Sequence, residues 1–173
     1  MKQNVQPTGV ERFFLEDDII VSKTDRKGII TYANRVFIDI CGYSEEDLLG
    51  QPHSIIRHPD MPGAVFRLLW DTISSGKEIF AYVKNMTCNG DHYWVFAHVT
   101  PTFGPSGDII GYHSNRRVPD RRQVSAMENL YRDVLAEERK HRNRIEAVEA
   151  GLAVLTAALA KADVSYEEFV FSV

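Results

Sequence analysis

The triplet Asn89-Gly90-Asp91 sits between two runs of strand-forming residues, Glu78 to Met86 and Tyr93 to Thr102. Asn-Gly in that setting is among the strongest short-range signals for a hairpin, because both residues accept the positive φ angles that a tight turn between twisted strands requires. Two long strands must therefore lie antiparallel and adjacent. A third run, Ile109 to Asn115, follows the turn-rich Gly104-Pro-Ser-Gly-Asp108 and extends them into a meander. Upstream, Ile19 to Val21 and Ile29 to Tyr32 flank Thr24-Asp-Arg-Lys-Gly28, which reads as a second hairpin. Helical signals occupy the space between. Asn34 caps a segment carrying Val36, Phe37 and Ile40 and closed by Gly42, and Ser44-Glu-Glu-Asp47 opens another with a serine cap and acids in its first turn. Gly63 to Ser75 places Val65, Phe66, Leu69, Trp70 and Ile73 at spacings of three and four, with Gly76 as its stop. The fold class is α+β: a five-stranded antiparallel sheet with short helices on one face.

Between the short helices and the long one lies Gly50-Gln-Pro-His-Ser-Ile-Ile-Arg-His-Pro-Asp-Met-Pro-Gly63. Pro59 and Pro62 bias His58 and Met61 away from helical dihedrals, so Arg57, His58 and Asp60 fall on irregular backbone held by a scaffold. Segments of that kind usually carry binding chemistry.

The 173 residues, 44% of them hydrophobic, suffice for one core and an appendage. Twenty basic against 24 acidic residues give a net charge of -4, which argues against nucleic acid or an anionic membrane as main partner. No uncharged apolar run reaches the ~18 residues that span a bilayer, and Met1 to Pro7 lacks the apolar region of a signal peptide, so a cytoplasmic location without membrane insertion is expected. Cys41 and Cys88 are the only cysteines, too few for a disulfide framework or a zinc site, and read as reduced thiols.

The ends read as helical. Thr8 as cap with Val10, Phe13 and Phe14 at helical spacing predicts an N-terminal cap helix in residues 1–17, ahead of a sensory domain over 18–118. Beyond Pro119, residues 119–173 form a helical extension. Positions Val124, Met127, Tyr131, Val134, Glu138, His141, Ile145, Val148, Leu152, Leu155 and Leu159 alternate by three and four, and all but Glu138 and His141 are apolar. Such a seam predicts a long helix or coiled coil on the order of 50 Å, which must project, fold back or dimerise. The two polar positions read as a register or pH-sensitive device, or as an ordinary polar layer. Ser165 with Glu168 caps a final short helix that docks by Phe169 and Phe171. The cluster Arg116-Arg-Val-Pro-Asp-Arg-Arg122 reads as a solvated, ion-paired hinge.

In chain order, Thr31-Tyr-Ala-Asn34, Gly42-Tyr-Ser44, Gly50-Gln-Pro-His53, Arg57-His-Pro-Asp-Met-Pro62, Val83-Lys-Asn85, Asn89-Gly-Asp-His-Tyr-Trp94 and Val99-Thr-Pro101 resemble the PAS module of bacterial aerotaxis receptors, over roughly residues 17 to 118. The resemblance implies a PAS fold and a cytoplasmic redox or oxygen sensor for aerotaxis or chemotaxis. It implies a flavoprotein that binds FAD noncovalently without catalytic turnover and passes its redox state to a signalling partner; the chain order adds a relay through the C-terminal helix of a homodimer to a kinase, chemoreceptor or cyclase. A flavin needs an apolar slot for its rings, amides for its polar edge and cations for its phosphates. Asn34 and Asn85 are candidates for the amides, Arg57 and His58 for the phosphates, Phe66 and Trp70 for the ring wall, with Asp60 added by resemblance. Each has a plainer reading: Asn34 caps its helix, Trp70 fills the core, and Arg57 pairs with Asp60. Where the family places a tryptophan just before the Val-Lys-Asn strand, this chain has Glu78-Ile-Phe-Ala-Tyr82.

Two other readings stay open. Haem needs an axial ligand, for which His53, His58, His92, His98 and His113 are candidates, although Gly63 to Ser75 contains no histidine. A PAS fold without cofactor would serve as a dimerising scaffold. An enzyme is not expected, since the sequence holds no nucleophile and base motif, phosphate-binding glycine loop or metal-ligand spacing.

Overall fold

In the computed structural model, which describes residues 5–173, the five strands pair throughout in antiparallel fashion in the order β2-β1-β5-β4-β3. They are β1 (Ile20–Asp25), β2 (Ile30–Ala33), β3 (Ile79–Met86), β4 (His92–Phe103) and β5 (Ile109–Arg117). The hairpin predicted from Asn89-Gly90 joins β3 to β4, with Gly90 at φ 95° and the Thr87 amide bonded to the Asp91 carbonyl at 2.8 Å. Register decides what faces where. Ser22 pairs with Ser114 and Ser114 with Val99, while Arg116 lies between Ile20 and Ala97, so these residues share one pleat face.

Over that face lie α1 (Arg35–Cys41), α2 (Glu45–Leu48), a 3-10 turn (His53–Ile56) and α3 (Gly63–Ser74). The caps are those the sequence indicates: Asn34 Oδ1 accepts from the Phe37 amide, Gly42 closes α1 at φ 73°, and Ser44 accepts from Asp47.

The opposite face is covered by the C-terminal extension, which is helical as expected but not one rod. Three helices form it: α4 (Arg121–Glu138), α5 (Arg144–Ala162) and α6 (Tyr166–Ser172). The seam breaks at residues 139–143, where Asn143 caps α5 through its side chain, and α5 turns back against α4 and onto α3. Val124, Met127, Tyr131 and Val134 bury against the sheet and the helices, Leu155 packs with Ala64 and Val134, and Ile145 faces solvent. The extension folds back because Tyr82, Trp94, Phe80 and Phe96 on the outer sheet face need covering. Tyr131 donates to the Tyr82 carbonyl at 2.8 Å and stacks on Trp94, and Val170 and Phe171 of α6 meet Tyr82, Phe80 and Phe96. The Ser165–Glu168 capping box is present. Tyr131→Phe leaves a buried carbonyl without its donor, and a loss of about 1–2 kcal/mol is expected in urea unfolding.

The N-terminal cap helix is not present in residues 5–17, and residues 1–4 lie outside the described residues. The reason is a vacancy in the sheet. Strand β4 pairs with β5 only from Phe96 onward, which leaves the backbone at His92 open on that side. Residues 8–12 fill it: the Thr8 amide bonds to the Gly90 carbonyl, Arg12 to His92 and His92 to Val10. Thr8 hydroxyl donates to Asp91, whose carboxylate also takes Arg12 at 2.7 Å. Among the described residues, no helix is long and apolar enough to cross a membrane.

Candidate functional site

Between α3 and the inner sheet face lies a cavity of about 320 Å³. Its walls follow from two periodicities. Phe66, Leu69, Trp70 and Ile73 recur at helical spacing along α3, and Val83, Ala97 and Val99 alternate along β3 and β4. Trp70 crosses over Gly28, where a Cβ would stand 2.9 Å from its ring, and meets the edge of Tyr112. The result is an apolar slot whose lining also carries the polar groups of Ser22, His53, Asn85, Ser114 and Arg116, with Arg57 and Lys27 beside them. No carboxylate and no thiol is among the lining residues.

Arg116 is the residue that the sequence reading placed wrongly. It is 2% exposed rather than part of a solvated hinge, because the β5 alternation turns it inward with Tyr112 and Ser114. Arg121, in contrast, pairs with Glu11 at 2.6 Å on the surface as expected. The Arg116 guanidinium lies 4.5 Å from the Phe37 ring centre and donates through Nη2 to the Ser22 hydroxyl, while Nε and Nη1 have no partner. Burial pulls its pKa down to about 10. Ser22 Oγ accepts from Arg116 and lies 3.0 Å from His53 Nε2, so a neutral imidazole with its proton on Nδ1 can take the Ser22 proton at Nε2. Burial, reinforced by the charge of Arg116, pushes the His53 pKa down to about 3.

Arg57 packs its guanidinium 3.6 Å from the Phe66 ring centre and leaves Nε unpartnered, and its backbone bridges to Asn85 on the free edge of β3. Burial lowers its pKa as well, aided by Arg144. Asn85 is 4% exposed and sits on the same pleat face as Val83.

Of the seven candidates, Arg57, Phe66, Trp70 and Asn85 line this cavity; Asn34, His58 and Asp60 do not. Asn34 spends its amide on structure, accepting from Phe37 and Val21 and donating to the Ile19 carbonyl at 2.8 Å. His58 is buried on the far side against His92, its Nδ1 accepting from the Asp60 amide, and burial pushes its pKa down to about 4 with help from Lys84. Asp60 lies outside, within 3.6 Å of Lys84 and 3.5 Å of Arg139. His53 and His113, named above as candidate haem ligands, also line the cavity, whereas Ser22, Ser114 and Arg116 were missed as site residues. The register of β5 held the signal for the last two, since Tyr112, Ser114 and Arg116 alternate in phase.

A meander of three strands joined to a strand pair by short helices, with a slot between helices and sheet, is an arrangement characteristic of one fold family. The model of the PAS fold matches residues 30–116, and the chain belongs to that family. It is similar to the aerotaxis receptor of Escherichia coli (strain K12), 42% identical over 117 residues that make up 68% of this chain and 23% of that protein. It is also similar to a nitrogen fixation regulatory protein of Klebsiella pneumoniae, 27% identical over 145 residues, 84% of this chain and 27% of that protein. The chain thus spans about a quarter of the length of these relatives. Among solved structures, the light state of the blue-light photoreceptor Aureochrome1 LOV superposes with a TM-score of 0.58 at 20% identity, covering 64% of this chain and 88% of that one, a likeness of fold.

Proposed function

We propose that this PAS domain is a cytoplasmic redox sensor that holds FAD noncovalently in the cavity under α3 and passes its state to a signalling partner. The observation that carries this reading is the character of the cavity: an aromatic and aliphatic slot whose lining holds two arginines with unpartnered nitrogens and no carboxylate. A buried donor left without an acceptor is costly, so a lining of this kind asks for an electron-rich, anionic, planar ligand. FAD meets all three requirements. The printed names of the relatives, an aerotaxis receptor and a nitrogen fixation regulator, agree with a sensory task.

The flavin supplies a two-electron redox centre, and the protein does the rest. Phe66 and Trp70 exclude water from one side of the slot, and Val83, Ala97 and Val99 from the other. Asn85 and Ser114 offer hydrogen bonds to the ring's polar edge, and Arg57 and Lys27 suit the charge of the pyrophosphate. Relay starts from Asn85, because it shares β3 with Lys84, whose partner Asp60 also meets Arg139 just beyond α4. A homodimer and a kinase, chemoreceptor or cyclase downstream complete the proposal. A ligand must favour one helix arrangement by a few kcal/mol to act through such contacts.

The test is spectroscopic. Protein purified with FAD present is expected to retain flavin absorption, and Asn85→Ala is expected to weaken retention and blunt the spectral response to dithionite. A strong Soret band would replace flavin with haem, and a colourless protein under these conditions would leave a scaffold. Unchanged retention and response in Asn85→Ala would remove Asn85 from the relay.

A further inference from the structure

We infer that Arg116 is the charge-selecting residue of the cavity, contacting the ring of the bound flavin rather than its phosphates and holding that ring more tightly once reduction has made it anionic. The inference rests on the flavin reading above and assigns the residue a task within it.

The location separates Arg116 from Arg57. Arg116 is on the central strand of the sheet, 2% exposed, with Phe37 at its side, so it marks the floor of the cavity. Arg57 is half-buried on the loop before α3 and marks the mouth. A pyrophosphate is strongly hydrated and belongs where water remains; a planar ring gains from full burial and belongs at the floor.

A purely structural arginine buried this deeply would bind carbonyls or a carboxylate through most of its five donors. Arg116 reaches only the Ser22 hydroxyl, and Nε and Nη1 have no acceptor among the described residues. Neighbouring titratable groups do not neutralise it. Facing it are His53, which burial keeps neutral, and Tyr93 and Cys41, whose protons burial retains; Asp and Glu are missing from the cavity lining. The fold therefore keeps an uncompensated cation at the floor, a costly arrangement for which a ligand is the available compensation.

When the neutral ring takes up two electrons and one proton, its net charge becomes -1. A fixed cation beside it then favours the reduced form, and by linkage raises the midpoint potential.

The test compares wild type with Arg116→Met, Arg116→Lys and Arg57→Met. Riboflavin, FMN and FAD are titrated into the apoprotein, the FAD-loaded protein is reduced with dithionite in buffered solution against redox dyes, and the apoprotein is melted. Arg116→Met is expected to weaken all three flavins alike, by about tenfold or more, to shift the midpoint potential negative, and to leave the apoprotein melting at or above the wild-type temperature. Arg116→Lys keeps the charge and stays near wild type in potential, while Arg57→Met weakens FMN and FAD but spares riboflavin. If Arg116→Met spares riboflavin, leaves the potential in place or lowers the apoprotein melting temperature, the inference is overturned while the flavin reading stands. If wild type binds none of the three flavins, the flavin reading falls first and takes the inference with it.

Discussion

Gly151→Leu is expected to lower the unfolding free energy by about 3–5 kcal/mol, through overpacking and the loss of a charged cap together. A Cβ at residue 151 would stand 2.6 Å from Glu138 Oε1, 2.8 Å from Glu138 Cγ and 3.1 Å from the Ala64 Cβ, and the whole leucine side chain has nowhere to go. Glu138 is not free to step aside. Its two carboxylate oxygens accept from the Gly63 and Ala64 amides at 2.9 and 2.8 Å, the first N–H groups of α3. That helix begins after Pro62, which has no side-chain oxygen to cap it, so a residue 75 positions away in sequence supplies the cap.

The consequence reaches the cavity, because α3 carries Phe66, Leu69, Trp70 and Ile73. Urea unfolding measures the stability loss, and weaker FAD retention is expected beside it. Glu138→Ala alone should cost about 1–2 kcal/mol, the usual worth of a cap. Gly151→Leu added to Glu138→Ala should cost much less than it does in wild type, since the side chain it collides with has been shortened. A Gly151→Leu protein within about 0.5 kcal/mol of wild type, as for an ordinary surface change, would refute the clamp.

This clamp shows where sequence pattern stops being informative. The strands, their order along the chain and the caps of α1, α2 and α6 were legible because each rests on local chemistry: the Asn89-Gly90 turn, the Asn34 and Ser44 caps, the Ser165–Glu168 pair; the pairing of β1 with β5 was not. Glu138 was visible only as an interruption in a heptad seam. Its partner is an amide pair whose need for a cap arises from Pro62, and nothing at residues 134–142 announces that need. Gly151 is the place where α5 and Glu138 approach too closely for a side chain, and nothing local to it in the sequence says so. The N-terminal segment failed for a related reason: Val10, Phe13 and Phe14 have helical spacing, but the open backbone at His92 exists only once β4 outruns β5. Half of the cavity was legible and half was not. Phe66 and Trp70 follow from the helix period, yet Arg116 was grouped with its sequence neighbours Arg117, Arg121 and Arg122 although the strand turns it away from them.

Acid is expected to destabilise the apoprotein well before its carboxylates titrate, and His53 and His58 are the cause. Their folded pKa values, about 3 and about 4, lie below the ordinary 6.5, so between those limits the unfolded chain binds more protons than the folded one. Stability is therefore complete above about pH 6.5 and falls as the pH drops toward the folded values, each group contributing about 1.4 kcal/mol per pH unit. From pH 6.5 to 5 the pair costs about 3 kcal/mol, since the full slope is reached only below the ordinary pKa, and that is a large share of what a domain of this size has to lose. Denaturation curves at pH 7.5, 6.5, 5.5 and 5.0 read the slope directly. His53→Gln keeps an amide near Ser22 and cannot take up the proton, so its acid limb should be shallower by about 1.4 kcal/mol per unit. Arg116→Met should flatten the same limb in part, because the guanidinium charge is the second cause, after burial, of the low proton affinity of His53. An acid limb in His53→Gln as steep as that of wild type would mean that the folded protein already tolerates a protonated imidazole there. In that case the Ser22 proton does not point to His53 Nε2, and the neutral floor on which Arg116 stands alone as a cation would have to be given up.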